Sequence, residues 1–135
     1  MNRIVLDSNC LLQIVPNQSE FNHVWEKIKK GKIILCVTTD ILNEYEEVLT
    51  QFYSKTLALN VLDVIMNLRR LEQINVYYKW SLITKDYDDN KFVDCAISAN
   101  AHYIVTNDSH FKVLKTIDFP KVECMNLVEY SEKIK

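Results

Sequence analysis

The chain has 135 residues, of which 48% are hydrophobic and 25% charged, a composition typical of one globular domain rather than a disordered chain. Its net charge of −2 argues against a generally basic nucleic-acid binder, so phosphate contacts would have to come from local patches or bound cations. The sequence has no apolar run of about eighteen residues and no apolar leader, which predicts a cytoplasmic protein without a membrane span or signal peptide.

The N-terminal half alternates short β-type runs with amphipathic segments. Asp7 ends the first run, and Gly31 is placed to stop the first long helix. The run IILCV has no polar residue, which is typical of a parallel strand buried on both faces. The predicted elements are a strand at 3–6, an apolar turn at 10–15, a helix at 19–31, a strand at 33–37 and a helix at 41–54.

The C-terminal half continues the alternation and predicts α/β architecture. Strands that alternate with helices imply right-handed crossovers and a parallel sheet covered on both faces. No repeat or linker divides the chain, so we expect one domain over residues 1–135. The predicted elements are a helix at 55–72, strands at 74–79, 103–106 and 122–126, a helix at 90–101, a helical turn at 111–114 and a last helix at 127–135.

The four cysteines are widely spaced and lie in apolar runs. They form no CxxC pair, so neither a zinc knuckle nor a redox motif is indicated. We therefore expect buried free thiols, which pack as small hydrophobic groups. They are Cys10, Cys36, Cys95 and Cys124.

Four carboxylates stand where the strands should end or the following helices begin. Asp7 follows the first strand and Asp108 the strand at 103–106, while Glu44 lies one turn into the helix after IILCV. Asp94 lies in the first turns of the helix at 90–101. Functional sites of open α/β sheets lie outside the carboxyl ends of the strands. These residues therefore predict one acidic pocket that holds divalent cations.

Each of these acids also has an ordinary structural explanation. Asp7 and Asp108 could cap the turns that follow them, and Glu44 could be a solvated helix charge. Asp94 has apolar neighbours and needs a partner, because an unpaired buried charge is too costly. The joint pattern is more specific than any one residue. The scattered histidines are not expected to be ligands, although His110 could touch substrate. Three lysines flank the acids and could meet phosphates or remain solvated: Lys85, Lys91 and Lys112.

Several segments of the chain resemble PIN-domain proteins. The matching segments are IVLDSNCLL at the start, ILNEYEEVL around Glu44, DDNKFVDCAISANAHYIVTND before and through Asp108, and SHFKVL after it. The resemblance covers nearly the whole chain, and the chain is most similar to small prokaryotic members regarded as toxin components of toxin–antitoxin pairs. One departure is Asn107, where the family often has Gly.

The resemblance implies a fold, an activity and a set of site residues. The fold is a three-layer α/β/α sandwich with a central parallel sheet of order 3-2-1-4-5. The activity is a metal-dependent ribonuclease that uses Mg²⁺ or Mn²⁺, and a cognate antitoxin is an expected protein partner. The family's catalytic, metal-holding acids fall on Asp7, Glu44, Asp94 and Asp108. The residues in supporting places are Asp89, which matches an acid of the DD-x-x-F variant and would also hold metal, and Asn9 and Thr106, which would orient the ligands by hydrogen bonds.

We also expect the protein to form a homodimer. The segment 39–72 carries many large apolar residues for a small domain, and an uncovered patch of this kind marks an interface. Small PIN proteins that the chain resembles commonly pair. The residues concerned are Tyr45, Phe52, Tyr53, Leu57, Leu59, Ile65 and Met66.

Other functions fit the sequence less well. A haloacid-dehalogenase-type phosphatase needs a D-x-D motif, but Asn9 stands at the second acid position, and the phosphoacceptor pattern of a receiver domain does not occur. A catalytically weak or inactive PIN-fold module that binds RNA or a protein partner stays open as the alternative. The set of acids at the family's catalytic positions is complete, which favours an active enzyme over this module.

Overall fold

The computed structural model describes residues 2–135. Its strands are β1 (Asn2–Leu6), β2 (Ile33–Val37), β3 (Leu71–Gln73), β4 (Tyr103–Val105) and β5 (Cys124–Met125). Its α-helices are α1 (Ser8–Ile14), α2 (Asn22–Lys29), α3 (Thr39–Phe52), α4 (Lys55–Met66), α5 (Asn90–Ala99) and α6 (Leu127–Lys133). Two 3-10 helices cover Tyr87–Asp89 and Ser109–Thr116.

The five strands form one parallel sheet in the order β3-β2-β1-β4-β5, which confirms the expected sheet order. In the central strand β1, Ile4 pairs with Leu35 on one side and with Tyr103 on the other. Residues 4–6 and 35–37 are fully buried, as expected for strands covered on both faces. The chain order reverses beside β1, so a crevice is expected outside the carboxyl ends of β1 and β4.

The predicted helix at 55–72 and the predicted strand at 74–79 are wrong in their bounds. The helix α4 ends at Met66 because Asn67 caps it, with a side-chain amide that donates to the Asp63 carbonyl oxygen at 2.7 Å. The strand β3 instead uses residues 71–73, which pair with β2. The aromatic segment 74–79 leaves the sheet, and Tyr77 is 90% exposed. Its β-type composition reflects an extended chain outside the sheet.

Local capping shifts several other boundaries. The predicted apolar turn at 10–15 is part of α1, which begins directly after Asp7. The helix predicted from Ser19 begins later, because the Ser19 hydroxyl accepts from the Phe21 N–H at 3.1 Å and holds a turn there. Thr38 starts α3 by accepting from the Ile41 N–H at 3.2 Å. These differences move helix ends by a few residues and leave the site-bearing elements in place.

Most of the cysteine thiols lie in the interior of the fold. Cys10, Cys36 and Cys95 are buried, Cys124 is partly buried, and all four are free, as predicted. Burial raises the pKa of the Cys10 thiol to about 12.

Within residues 2–135, no helix is long and apolar enough to cross a membrane.

Candidate active site

Asp7 lies at the carboxyl end of the central strand, where the sheet order reverses. The Asp7 N–H donates to the Val105 carbonyl oxygen at 3.0 Å, which ties the ends of β1 and β4 together. The residue is only 6% exposed. Its carbonyl oxygen accepts from the N–H groups of Cys10 and Leu11, so the turn into α1 fixes the backbone. This anchoring leaves the carboxylate in the crevice between the two strand ends.

Thr106 connects Asp7 with Asp108. Its hydroxyl donates to Asp7 Oδ2 at 2.7 Å and accepts from the Asp108 N–H at 3.1 Å. The Thr106 residue is only 6% exposed, so these bonds are shielded from water. Asp108 also caps the second 3-10 helix, since its Oδ1 accepts from the His110 N–H at 2.9 Å. One threonine hydroxyl therefore orients the Asp7 carboxylate and holds the backbone at Asp108.

Glu44 faces the same crevice and is not a solvated helix charge. Its side chain is 18% exposed, and its Oε1 lies 2.7 Å from the ammonium of Lys91. Its Oε2 accepts a hydrogen bond from the Ser8 hydroxyl. Lys91 also pairs with Asp88 at 3.0 Å. Neither the selection of Ser8 nor the pairing of Lys91 with Glu44 was predictable from the sequence, because these contacts depend on how α1, α3 and α5 meet.

Asp89 stands at the N-terminus of α5, next to His110. The His110 Nδ1 lies 3.3 Å from Asp89 Oδ2 and 3.5 Å from Asp108 Oδ1. Ligand atoms of Asp86, Asp89 and His110 all lie within 4.8 Å of one another. Sequence reasoning did not select Asp86 and His110 as ligands. The available signal was the position of His110 two residues after Asp108.

The carboxylates in this crevice act on one another. Burial raises the pKa of Asp7, and the charges of Glu44 and Asp108 raise it further, against the opposing hydrogen bond from Thr106. Burial also raises the pKa of Asp89 to about 6, with a further contribution from the charge of Asp108 and smaller ones from Asp86 and Asp7. Grouped, partly desolvated carboxylates resist ionisation. Such a set of oxygen donors fits a hard divalent cation.

Asp94 has different surroundings. Its Oδ1 accepts from the Trp80 N–H at 3.1 Å. Burial raises the pKa of Asp94, while the Trp80 hydrogen bond and the charge of Lys79 lower it. In an α-helix, a residue five positions after Asp89 lies about 7.5 Å along the axis and about 140° around it. The structure thus brings Asp7, Glu44, Asp89 and Asp108 together, and it places Asp94 against the segment that follows β3.

Asn9 contributes through its backbone. The nearby main-chain N–H of Asn9 lowers the pKa of Asp7, while the Asn9 side chain is at the surface. The backbone N–H is held toward Asp7 because Asn9 lies in the first turn of α1. Most residue types could make this contact through their backbone N–H, so it does not involve the side-chain role expected for Asn9.

Comparison with known proteins places this geometry in a family. A family model described as a PIN domain matches residues 3–110. The fold is similar to that in the crystal structure of VapBC2 from Rickettsia felis bound to a DNA fragment from their promoter. That match has 18% identity and a TM-score of 0.63, and it covers 92% of this chain and 98% of the other.

Two further solved structures have a similar fold. DNA-bound VapBC from Salmonella typhimurium matches with 17% identity and a TM-score of 0.59, over 94% of this chain and 99% of the other. The PIN domain endonuclease Utp24 matches with 14% identity and a TM-score of 0.54, over 92% and 84%. Identities this low show the fold alone, and no curated protein matches the chain significantly in sequence. Because the family model spans most of its length, the chain belongs to the PIN domain family.

Proposed function

We propose that the protein is a metal-dependent endoribonuclease that hydrolyses RNA phosphodiester bonds with Mg²⁺ or Mn²⁺. The observation that carries this proposal is the convergence of Asp7, Glu44, Asp89 and Asp108 at the switch point of the sheet. Membership in the PIN domain family supports it, as does the endonuclease Utp24, whose fold is similar.

Each residue of the crevice has a chemical role in this proposal. A bound divalent cation supplies charge neutralisation and an activated water for attack on phosphorus. Asp7 and Asp108 would hold the cation, and the Thr106 hydroxyl keeps the Asp7 carboxylate oriented and the Asp108 backbone in place. Glu44 completes the set when its ion pair with Lys91 loosens. A second cation would find donors in Asp89, Asp86 and His110.

Asp94 has a structural role in this proposal. Its carboxylate holds the backbone at Trp80 and so fixes the segment after β3 to α5. Asp89, which the resemblance also placed among the metal-holding residues, keeps that role in this proposal, and Asp94 does not. Replacement of Asp94 by Asn keeps a hydrogen-bond acceptor for the Trp80 N–H. The variant Asp94→Asn is therefore expected to cut RNA, while Asp108→Asn is not.

We further propose that the protein is the toxin component of a toxin–antitoxin pair in the cytoplasm. The resemblance of its sequence to small prokaryotic PIN proteins supports this role, as does the likeness in fold to VapBC from two bacteria. A cognate antitoxin would then bind this chain. Co-expression with the product of a small neighbouring gene should relieve growth arrest caused by this chain alone.

We also propose a homodimer formed through α3 and α4. Four of the seven apolar residues selected from the sequence in this region lie at the surface, which leaves an uncovered patch of the kind that marks interfaces. The exposed residues are Phe52 (62%), Tyr53 (44%), Leu59 (49%) and Met66 (47%). Of the others selected from the sequence, Tyr45 and Ile65 are buried in the core.

One observation favours a second candidate, a binding module with little catalytic activity. Lys91 pairs with both Glu44 and Asp88, so its ammonium neutralises part of the acidic site that a cation would otherwise occupy. A module of this kind would bind RNA or protein without metal. It would not cut RNA under any metal condition.

A nuclease assay with labelled RNA separates the two candidates. Cleavage should occur with Mg²⁺ or Mn²⁺, stop with a chelator and be lost in Asp108→Asn. The matched control is Asp63→Asn, which removes an exposed carboxylate on α4. The same cations should raise the melting temperature, because a ligand that binds only the folded state stabilises it. No cleavage by the wild-type protein with either metal would refute the enzyme.

A further inference from the structure

A cleft of ≈ 320 Å³ opens beside the acidic crevice. It lies between the loop before the first 3-10 helix and the start of the second 3-10 helix. Its volume is at the lower end of the range for pockets that bind small ligands. We call it the lysine cleft, and it is lined by His110 together with Ile83, Thr84, Lys85, Ser109, Lys112 and Val113.

The lining of the lysine cleft suits an anion with an apolar part. Two ammonium groups and two hydroxyls can contact phosphate oxygens, and Ile83 and Val113 give it apolar surface. None of the lining residues within the described chain is a carboxylate. By contrast, a second cleft of ≈ 400 Å³ near Lys79 and Lys91 is also lined by three acids, Asp40, Asp88 and Asp94. The lysine cleft is the better phosphate site of the two.

The wall of the lysine cleft is firmly held. The buried side chain of Asn90 accepts from the Ile83 N–H at 2.9 Å and donates to the Ile83 carbonyl oxygen at 2.8 Å. Asn90 is the first residue of α5 and follows Asp89 directly. The amide therefore fixes the loop at Ile83 to the helix that carries a carboxylate of the acidic crevice.

His110 forms the boundary between the lysine cleft and the acidic crevice. Its ring lines the cleft, and its Nδ1 lies 3.3 Å from Asp89 Oδ2. Lys112 lies in the 3-10 helix that Asp108 caps. An RNA strand whose phosphodiester reaches Asp108 would pass His110 and place its next nucleotide in the lysine cleft.

We propose that the lysine cleft binds the nucleotide next to the scissile phosphodiester of a single-stranded RNA. Lys85 and Lys112 contact its phosphate, and Ile83 and Val113 contact its ribose or base. This inference rests on the proposed function, because it names a binding subsite for that substrate. It explains how an acidic site on a chain of net charge −2 attracts a polyanion.

The test compares two double variants that lose the same charge. Lys85→Ala/Lys112→Ala removes the cleft lysines, and Lys55→Ala/Lys135→Ala removes two exposed lysines elsewhere, which are 65% and 62% exposed. Fluorescence anisotropy with a labelled single-stranded RNA in chelator measures binding at several salt concentrations. The loss of one neutralised phosphate lowers the salt slope for a single strand by about 0.7, so the cleft variant should bind about tenfold more weakly with a slope shallower by about 0.7. The control variant should bind like the wild type.

A second variant and a stability measurement distinguish a loss of RNA binding from misfolding of the variants. Lys112→Glu places a carboxylate in the cleft and should weaken binding more than the double alanine variant. Both should melt close to the wild type, because their changed side chains are at the surface. Equal affinity and equal salt slope for the cleft and control variants would overturn the inference, as would no RNA binding by the wild type in chelator.

Cleavage by the wild-type protein with Mn²⁺ is scored separately in the same experiment. If the wild type cuts RNA but the cleft and control variants bind RNA alike, the subsite is wrong and the proposed function stands. If the wild type cuts no RNA with either metal, the proposed function fails on that result alone.

Discussion

The hydroxyl of Tyr45 donates a hydrogen bond of 2.5 Å to the carbonyl oxygen of Leu6. Both residues are fully buried, and each directly adjoins an acid of the crevice, Glu44 in one case and Asp7 in the other. The bond therefore fixes α3 against the end of β1. It sets how Glu44 and Asp7 face each other, although neither acid takes part in it.

Replacement of Tyr45 by Phe should destabilise the protein and weaken the site. The buried Leu6 carbonyl oxygen would lose this donor, which costs about 1–2 kcal/mol of the free energy of unfolding. Denaturant unfolding without metal measures that change. We also expect a smaller rise in melting temperature with Mn²⁺, because Glu44 and Asp7 would be less well placed.

Tyr53→Phe is the matched control for this prediction. The Tyr53 hydroxyl donates to the Leu12 carbonyl oxygen at 2.7 Å, but the Tyr53 side chain is 44% exposed. Water can replace that bond, so the control should lose less stability and keep its response to metal. Equal effects of the two substitutions would mean that the Tyr45 bond has no special role.

Replacement of Lys91 by Ala should destabilise the metal-free protein and strengthen its response to metal. The Glu44 carboxylate would lose an ammonium partner at 2.7 Å in surroundings where both side chains are 18% exposed. The free energy of unfolding should fall by about 1–3 kcal/mol, because the Glu44 carboxylate would be an unpaired, largely buried charge. A bound cation can replace the ammonium, so Mn²⁺ should raise the melting temperature more in this variant than in the wild type.

Lys55→Ala provides the comparison for Lys91→Ala. Its ion pair with Glu46 is at the surface, with side chains 65% and 34% exposed, and surface pairs contribute only about 0–1 kcal/mol. This variant should respond to Mn²⁺ like the wild type. If Lys91→Ala also responds like the wild type, Glu44 does not take part in metal binding.

The contribution of Asp89 to the stability of the metal-free protein should fall as pH rises from 3.8 to about 6. Burial and the charge of Asp108 raise the pKa of Asp89 from 3.8 to about 6 in the folded protein. Between these values the folded state binds more protons at Asp89 than the unfolded state does, so this residue's contribution to stability is lost as pH increases. Melting temperatures at about pH 4 and about pH 7 measure the change.

Asp89→Asn isolates this contribution to the pH dependence. The amide does not titrate, so the fall in stability across the same pH window should be smaller than in the wild type. The stabilisation by Mn²⁺ should also grow with pH in the wild type, since the cation competes with the proton for the Asp89 carboxylate. An unchanged pH profile in Asp89→Asn would show that another group is responsible.

Replacement of Phe52 by Asp should convert the proposed homodimer to monomer. The Phe52 side chain is 62% exposed on α3, and a charge at an apolar interface strongly opposes association. Sedimentation equilibrium at tens of micromolar measures the mass. The control is Tyr77→Asp, on an exposed aromatic outside α3 and α4, which should remain dimeric. A monomeric wild type would contradict the dimer and leave the patch to a protein partner.

The fold was predictable where apolar runs have clear ends. RIVL and IILCV end at polar residues and became β1 and β2. The segment 66–79 was not predictable in this way, because α4 stops at a cap made by Asn67. The hydrophobic periodicity and the residue composition alone favoured a helix longer than α4 and a strand later than β3. The sheet order came from the resemblance rather than from the pattern.

The same distinction applies to the site. Asp7 and Asp108 could be selected because strand ends are visible in the sequence. Asp89 and Asp94 were both expected to hold metal from the resemblance, and Asp94 also had apolar neighbours, but the sequence does not show how α5 places each carboxylate. Its partner is the Trp80 N–H, a contact across a loop that no spacing rule predicts.

The four cysteine thiols can report where the chain opens. Burial raises the pKa of Cys95 to about 12 and that of Cys36 and Cys124 to about 11, so almost no thiolate, the reactive form, exists at neutral pH. Alkylation must then wait for local or global unfolding. The labelling rate at each cysteine would measure the opening of α1, β2, α5 or β5 without any introduced probe. Cys10, three residues after Asp7, would reveal whether a bound cation slows the opening of the crevice.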